Sequence, residues 1–154
     1  MTNNDILRRI RFIFDFSDSK IIAIFGLAGH SVTREQVCDW LKKEDDSAYR
    51  ICSDPELAMF LNGLIIDQRG MKEGAQPEPE TRLTNNMILV KLKIALNLKS
   101  DDIMKIMALT ELNISNHELS AFFRKPGHKH YRDCQDQILR RFLTGLQLQH
   151  RPEK

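Results

Sequence analysis

The sequence predicts an all-α protein. It reads as a tandem repeat of two four-helix units related by a pseudo-twofold, with helix-turn-helix-like second and third helices in each. Three observations carry this. First, the chain repeats itself at a fixed offset of 82 residues, without a gap. Asn3-Asn4-Asp5-Ile6-Leu7 returns as Asn85-Asn86-Met87-Ile88-Leu89, Trp40 as Phe122, and Phe60-Leu61-Asn62-Gly63-Leu64 as Phe142-Leu143-Thr144-Gly145-Leu146. Second, apolar residues fall at the spacing of one helix face. Third, no run alternates apolar and polar residues as a half-buried strand would.

The helices follow in order. Ile6, Leu7, Ile10 and Phe14, with Ile88, Leu89, Leu92 and Leu96, form the apolar stripe of a first helix, for which Asn4 and Asn86 are candidate N-caps. A second helix runs from Asp18 to about Leu27, and from Asp101 to about Leu109. The third opens on a capping box, Thr33-x-x-Gln36 or Ser115-x-x-Glu118, and carries Val37, Trp40 and Leu41 or Leu119, Phe122 and Phe123. The fourth begins near Asp54-Pro55, with Asp54 or Asp136 as cap and Pro55 in the first turn. Gly63 and Gly145 lie inside it, where glycine costs about 1 kcal/mol against alanine. They mark a close helix approach, as where the two fourth helices would cross. The expected organisation is residues 1–70, an exposed Gly/Pro-punctuated linker 71–84, residues 85–149, and a frayed polar tail 150–154.

Composition narrows the function classes. The chain has 154 residues, with 23 Lys+Arg against 21 Asp+Glu, so it is neither a uniformly basic nucleic-acid coat nor an acidic tail protein. Apolar residues make up 42% and charged residues 29%, the balance of a globular chain. No apolar run approaches the roughly 20 residues that span a bilayer, so no membrane association is expected. The opening residues lack the pattern of a secretory signal. Three cysteines suit a reducing cytoplasm better than a disulfide scaffold.

Asn3-Asn4-Asp5-Ile6-Leu7-Arg8, Trp40-Leu41-Lys42-Lys43-Glu44-Asp45, Phe60-Leu61-Asn62-Gly63-Leu64-Ile65 and Arg132-Asp133-Cys134-x-Asp136-Gln137 resemble the YehS-like family, bacterial proteins built from a duplicated domain of unknown function. The resemblance covers about residues 3–146. It implies a bacterial cytoplasmic setting and brings no catalytic residues.

The copies differ in charge. Residues 1–70 hold 9 Lys+Arg and 11 Asp+Glu, whereas residues 85–154 hold 12 and 7. The divergence is sharpest after the third helix. Lys42-Lys43-Glu44-Asp45-Asp46 in the first copy corresponds to a basic loop in the second, Arg124-Lys125-Pro126-Gly127-His128-Lys129-His130-Tyr131-Arg132. Asn116, His117, Arg124, Lys125, His128, Lys129, His130 and Arg132 are therefore candidate contacts to nucleic acid or another anionic surface. Ser120 belongs to the same exposed helix face, which corresponds to Arg34, Glu35, Asp39 and Lys42 in the first copy. Arginine and lysine would contact phosphates, and the polar face of the third helix would supply any base reading.

Two further constellations stand beside this. His117, His128, His130 and Cys134 are metal-ligand types, but their spacing matches no zinc signature, and no metal or other cofactor is expected. A polar motif occurs twice: Tyr49, Arg50, Cys52 and Asp54, then Tyr131, Arg132, Cys134 and Asp136. It lacks a general base and reads better as structure than as nucleophilic chemistry: Cys buried, Asp capping, Arg bonded to carboxylates or helix ends. No phosphate-cradling glycine loop or nucleophile elbow is present. The leading expectation is a non-catalytic binding module or regulator. The alternatives are a protein-interaction or structural module using an apolar surface between the repeats, and an enzyme with a site at the repeat interface. Partner and oligomeric state stay open.

Overall fold

In the computed structural model, described for residues 1–71 and 78–151, the chain forms eight α-helices and, among the described residues, no strand. They are α1 (Asn3–Phe14), α2 (Asp18–Leu27), α3 (Arg34–Leu41), α4 (Asp54–Arg69), α5 (Asn85–Ala95), α6 (Ser100–Ala108), α7 (Asn116–Phe122) and α8 (Asp136–His150). The chain divides into two units, 1–83 and 84–154. The inner part of the expected linker, residues 72–77, and the last three residues lie outside the described residues. His150 is the last residue of α8 rather than the start of a frayed tail, and Arg151 donates its N–H to the Gln147 carbonyl.

Each helix start has a local cause. Thr2 and Thr84 cap α1 and α5, accepting from the N–H groups of Asp5 and Met87; Asn4 and Asn86 lie inside these helices and do not cap them. Both capping boxes of the third helices form: Thr33 with Gln36, and Ser115 with Glu118. Ser53, reciprocated by Glu56, caps α4, and Gln135 precedes α8, so Asp54 and Asp136 are first-turn residues, not caps. Their carboxylates still stand where a helix N-terminus favours negative charge.

The helix ends repeat as well. Asp15 and Asn97 are both left-handed with φ 54°. After α2, His30 donates to the Phe25 carbonyl and Gly29 to that of Gly26; after α6, Leu112 donates to Met107 and Glu111 to Ala108. These are Schellman closures that need a left-handed residue. Gly29 supplies it at φ 80°, but Glu111 is forced to φ 64°. A side chain there is strained, so Glu111→Gly is expected to stabilise unit 2 by about 1 kcal/mol. Chemical denaturation read by circular dichroism checks this, and an unchanged or lowered midpoint would refute the strain. Six residues (28–33) or seven (109–115) then lead to the third helix. That is longer than the three or four residues of a tight helix-turn-helix.

The core of unit 1 is fully buried at Ile6, Leu7, Ile10, Ile21, Ile24, Phe25, Val37, Trp40, Leu57 and Phe60. Phe25 stacks obliquely on Trp40 and Phe60, with ring centroids 5.3 and 5.4 Å apart. Unit 2 builds the same core with Met107 for Phe25 and Phe122 for Trp40. Two expected stripe residues, Phe14 and Leu96, are only half-buried; Ile13 and Ala95 are buried instead.

The fourth helix of each unit packs chiefly on the second. Gly63 faces the backbone carbonyl of Ile24, and Gly145 that of Ile106, with no room for a Cβ. The glycines are thus explained within each unit, by the second helix, and not by a crossing of the two fourth helices.

Candidate nucleic-acid interface

The twice-occurring polar motif is held by the asparagine pair at the start of each unit. The Asn4 amide donates to the carbonyls of Trp40 (2.9 Å) and Arg50 (2.7 Å), and its Oδ1 accepts from the Cys52 N–H (2.9 Å). Asn86 does the same with Phe122 (3.0 Å), Arg132 (2.8 Å) and Cys134 (2.8 Å). Asn3 donates to the Cys52 carbonyl and the Asp54 carboxylate, and Asn85 to those of Cys134 and Asp136. The N–H groups of Arg50 and Arg132 reach the Asp39 and Ala121 carbonyls at the end of the third helix. The segment before α4 or α8 is therefore pinned on both sides.

Within it, Cys52 and Cys134 are buried, and burial pushes both thiols up to about 12. They stay protonated at neutral pH and offer no thiolate. The side chains of Arg50 and Arg132 are exposed. What the motif fixes is backbone, and in unit 2 that backbone carries the basic loop.

The loop itself is two successive turns. His128 donates its N–H to the Lys125 carbonyl, Tyr131 donates to that of His128, and Gly127 sits at φ 92°. The His128 Nδ1 accepts from the His130 N–H at 3.0 Å. Unit 1 makes the same pair of turns, with Asp46 Oδ1 accepting from Ala48. His128 thus shapes the loop as Asp46 does. From sequence His128 reads as an anion contact or a metal-ligand type, and not as a turn acceptor.

Between this loop and α7 lies an open depression of about 330 Å³, lined by His117, Glu118 and Ala121 from α7 and by Lys129, His130, Tyr131 and Arg132 from the loop. The His117 and His130 rings are edge to face at 6.4 Å. Two hydrogen bonds from Ser115 hold the Glu118 carboxyl below the usual carboxylate range, with Arg132 and His117 adding to the effect. Burial, and then a bond with Asp133, holds the Tyr131 phenol above its ordinary value, so it is neutral.

Of the eight residues singled out as contacts, the fold brings His117, Lys129, His130 and Arg132 to one site. Asn116, Arg124, Lys125 and His128 are exposed but do not line it. Arg124 and Lys125 lie beyond α7, which is capped at Phe123, and so do not share its face; Lys42 is likewise the cap of α3. Glu118 and Ala121 were missed as site residues. Positions 117, 118 and 121 share a helix face, which was the available signal.

Five of the seven equivalent positions in unit 1 carry different residues. Glu35, Gln36 and Asp39 stand for His117, Glu118 and Ala121, and Ser47 and Ala48 for Lys129 and His130. Tyr49 and Arg50 match Tyr131 and Arg132. As for metal, Cys134 is buried while the three imidazoles are exposed. Among the described residues, no group of three or more His, Cys, Asp or Glu could hold an ion.

The duplication is that of a known family. The chain belongs to the family described as Protein of unknown function (DUF1456), which matches residues 3–70 and again 85–151. It is 44% identical over 147 residues, covering 95% of this chain and 94% of the relative, to the Escherichia coli (strain K12) protein described as "Uncharacterized protein YehS". No solved structure matches. Among the described residues, no helix is long and apolar enough to cross a membrane.

Proposed function

We propose that the protein is a nucleic-acid-binding module that contacts its partner through unit 2. One observation carries the reading: the two units share a scaffold down to individual turn bonds, yet at matched surface positions unit 2 replaces acidic and neutral side chains with lysine and histidine. Scaffold alone does not require these residues, because unit 1 folds without them. Arg124, Lys125, Lys129 and Arg132 project from a loop pinned at Arg132 and turned at Gly127. Cations held on a fixed backbone are how a protein sets its register on phosphates.

The reading is of binding rather than catalysis. The repeated motif supplies backbone anchors and protonated thiols, not a nucleophile. Fluorescence anisotropy with labelled DNA and RNA across a salt series tests it. Affinity is expected to fall steeply as salt rises, because each neutralised phosphate releases counterions. Absence of binding at low salt would remove the proposal.

A further inference from the structure

We infer that the depression between α7 and the 128–132 loop takes one unpaired nucleotide of a single strand, its base against Tyr131 and the two imidazoles and its phosphate on Lys129 and Arg132. The inference rests on the binding function proposed above and specifies its substrate class.

Three features point this way. The first is shape. In a helix-turn-helix the recognition helix lies in the major groove with its N-terminal residues on base edges. Here His117 and Glu118, at the start of α7, instead form one wall of a concavity whose other wall is the loop. At seven residues, α7 is only about 10 Å long. A volume of about 330 Å³ lies at the small end of ligand sites, which run from about 300 to 1,000 Å³.

The second is the lining. Single-strand sites combine cations that follow the backbone with flat rings on which bases stack. Tyr131, His117 and His130 are the rings, and Lys129 and Arg132 the cations, all within one depression. Tyr131 is half-buried, and its phenol is neutral. The third is Glu118. A carboxylate opposes phosphate, but it accepts from the exocyclic amine of a base, as it does from cytosine N4. The Ser115 N–H donates to the Glu118 Oε1 at 3.2 Å and helps hold the carboxyl below its ordinary value. The depression therefore offers cations for a phosphate and an acceptor for an amino-bearing base. Unit 1 lacks this combination: Ser47 and Ala48 replace Lys129 and His130, and Asp39 replaces Ala121.

The experiment compares one labelled 12-nucleotide strand with its own duplex, at one salt concentration, against the full chain and three variants. The single strand is expected to bind at least tenfold more tightly than the duplex. Tyr131→Ala should lose about tenfold on the single strand, the scale of one stacked base, and little on the duplex. Tyr131→Phe should restore it, which separates stacking from folding. Lys129→Gln should weaken both substrates. Equal or tighter duplex binding, with Tyr131→Ala neutral, would overturn the single-nucleotide site and leave the proposed function standing. Binding of neither substrate would overturn both.

Discussion

Asn4→Ala is expected to lower the thermal midpoint of unit 1 by about 15 °C. The amide makes three hydrogen bonds, all to backbone groups: the Trp40 and Arg50 carbonyls and the Cys52 N–H. The residue is 1% exposed, so water does not replace it. Leaving a buried backbone group unsatisfied costs about 1–3 kcal/mol, so three near the low end of that range give about 3–5 kcal/mol. In a unit of this size each kcal/mol moves the midpoint by about 4–8 °C. Asn4→Asp keeps the shape but turns both donors into acceptors facing carbonyls, so it should be no milder. Thermal unfolding followed by circular dichroism decides. A fall of only a few degrees would mean the amide bonds are not what holds the segment. Asn86→Ala should behave alike in unit 2, and it should also weaken nucleic-acid binding, because Asn86 anchors the Arg132 carbonyl.

Gly63→Ala is the second large effect. A methyl group there would sit far inside van der Waals contact with the Ile24 carbonyl, which is helix backbone and cannot rotate aside. Overpacking a core usually costs about 1–3 kcal/mol. A clash with backbone belongs at the top of that range, so α2 and α4 must part and the midpoint should fall by more than about 10 °C. Alanine is otherwise the better helix former, by about 1 kcal/mol. A raised midpoint would therefore show that the two helices are not in contact at Gly63. Gly145, against the Ile106 carbonyl, should respond alike.

Both positions show what sequence could and could not supply. The two capping boxes were legible because each closes within four residues: Thr33 with Gln36, and Ser115 with Glu118. The role of Asn4 was not. An asparagine near a helix start reads as a cap by local chemistry, whereas its partners lie 36 to 48 residues away. Nor did the sequence name the carbonyl that Gly63 approaches, which lies on another helix. The left-handed Glu111 was visible only as a missing glycine opposite Gly29, and the structure shows the same turn kept under strain.

The candidate site was half legible. Basic character and its divergence from the first copy could be read from residues 124–132. That Lys129 and Arg132 share a depression with His117, while Lys125 does not, depended on the turns at Gly127 and His128. Alignment of the copies held one more clue. Asp46 and His128 occupy equivalent positions and both offer a side-chain acceptor two residues before the N–H they bind.

The salt series becomes decisive when run on matched charge reversals. Lys125→Glu with Arg132→Glu changes unit 2, and Lys43→Glu with Arg50→Glu makes the same change at the equivalent exposed positions of unit 1. Net charge shifts equally, so a difference between the two doubles reports place and not overall electrostatics. The unit 2 double is expected to bind at least tenfold more weakly with a shallower salt slope, and the unit 1 double to stay within about twofold of the parent. Equal losses in both doubles, or none in either, would contradict binding through unit 2.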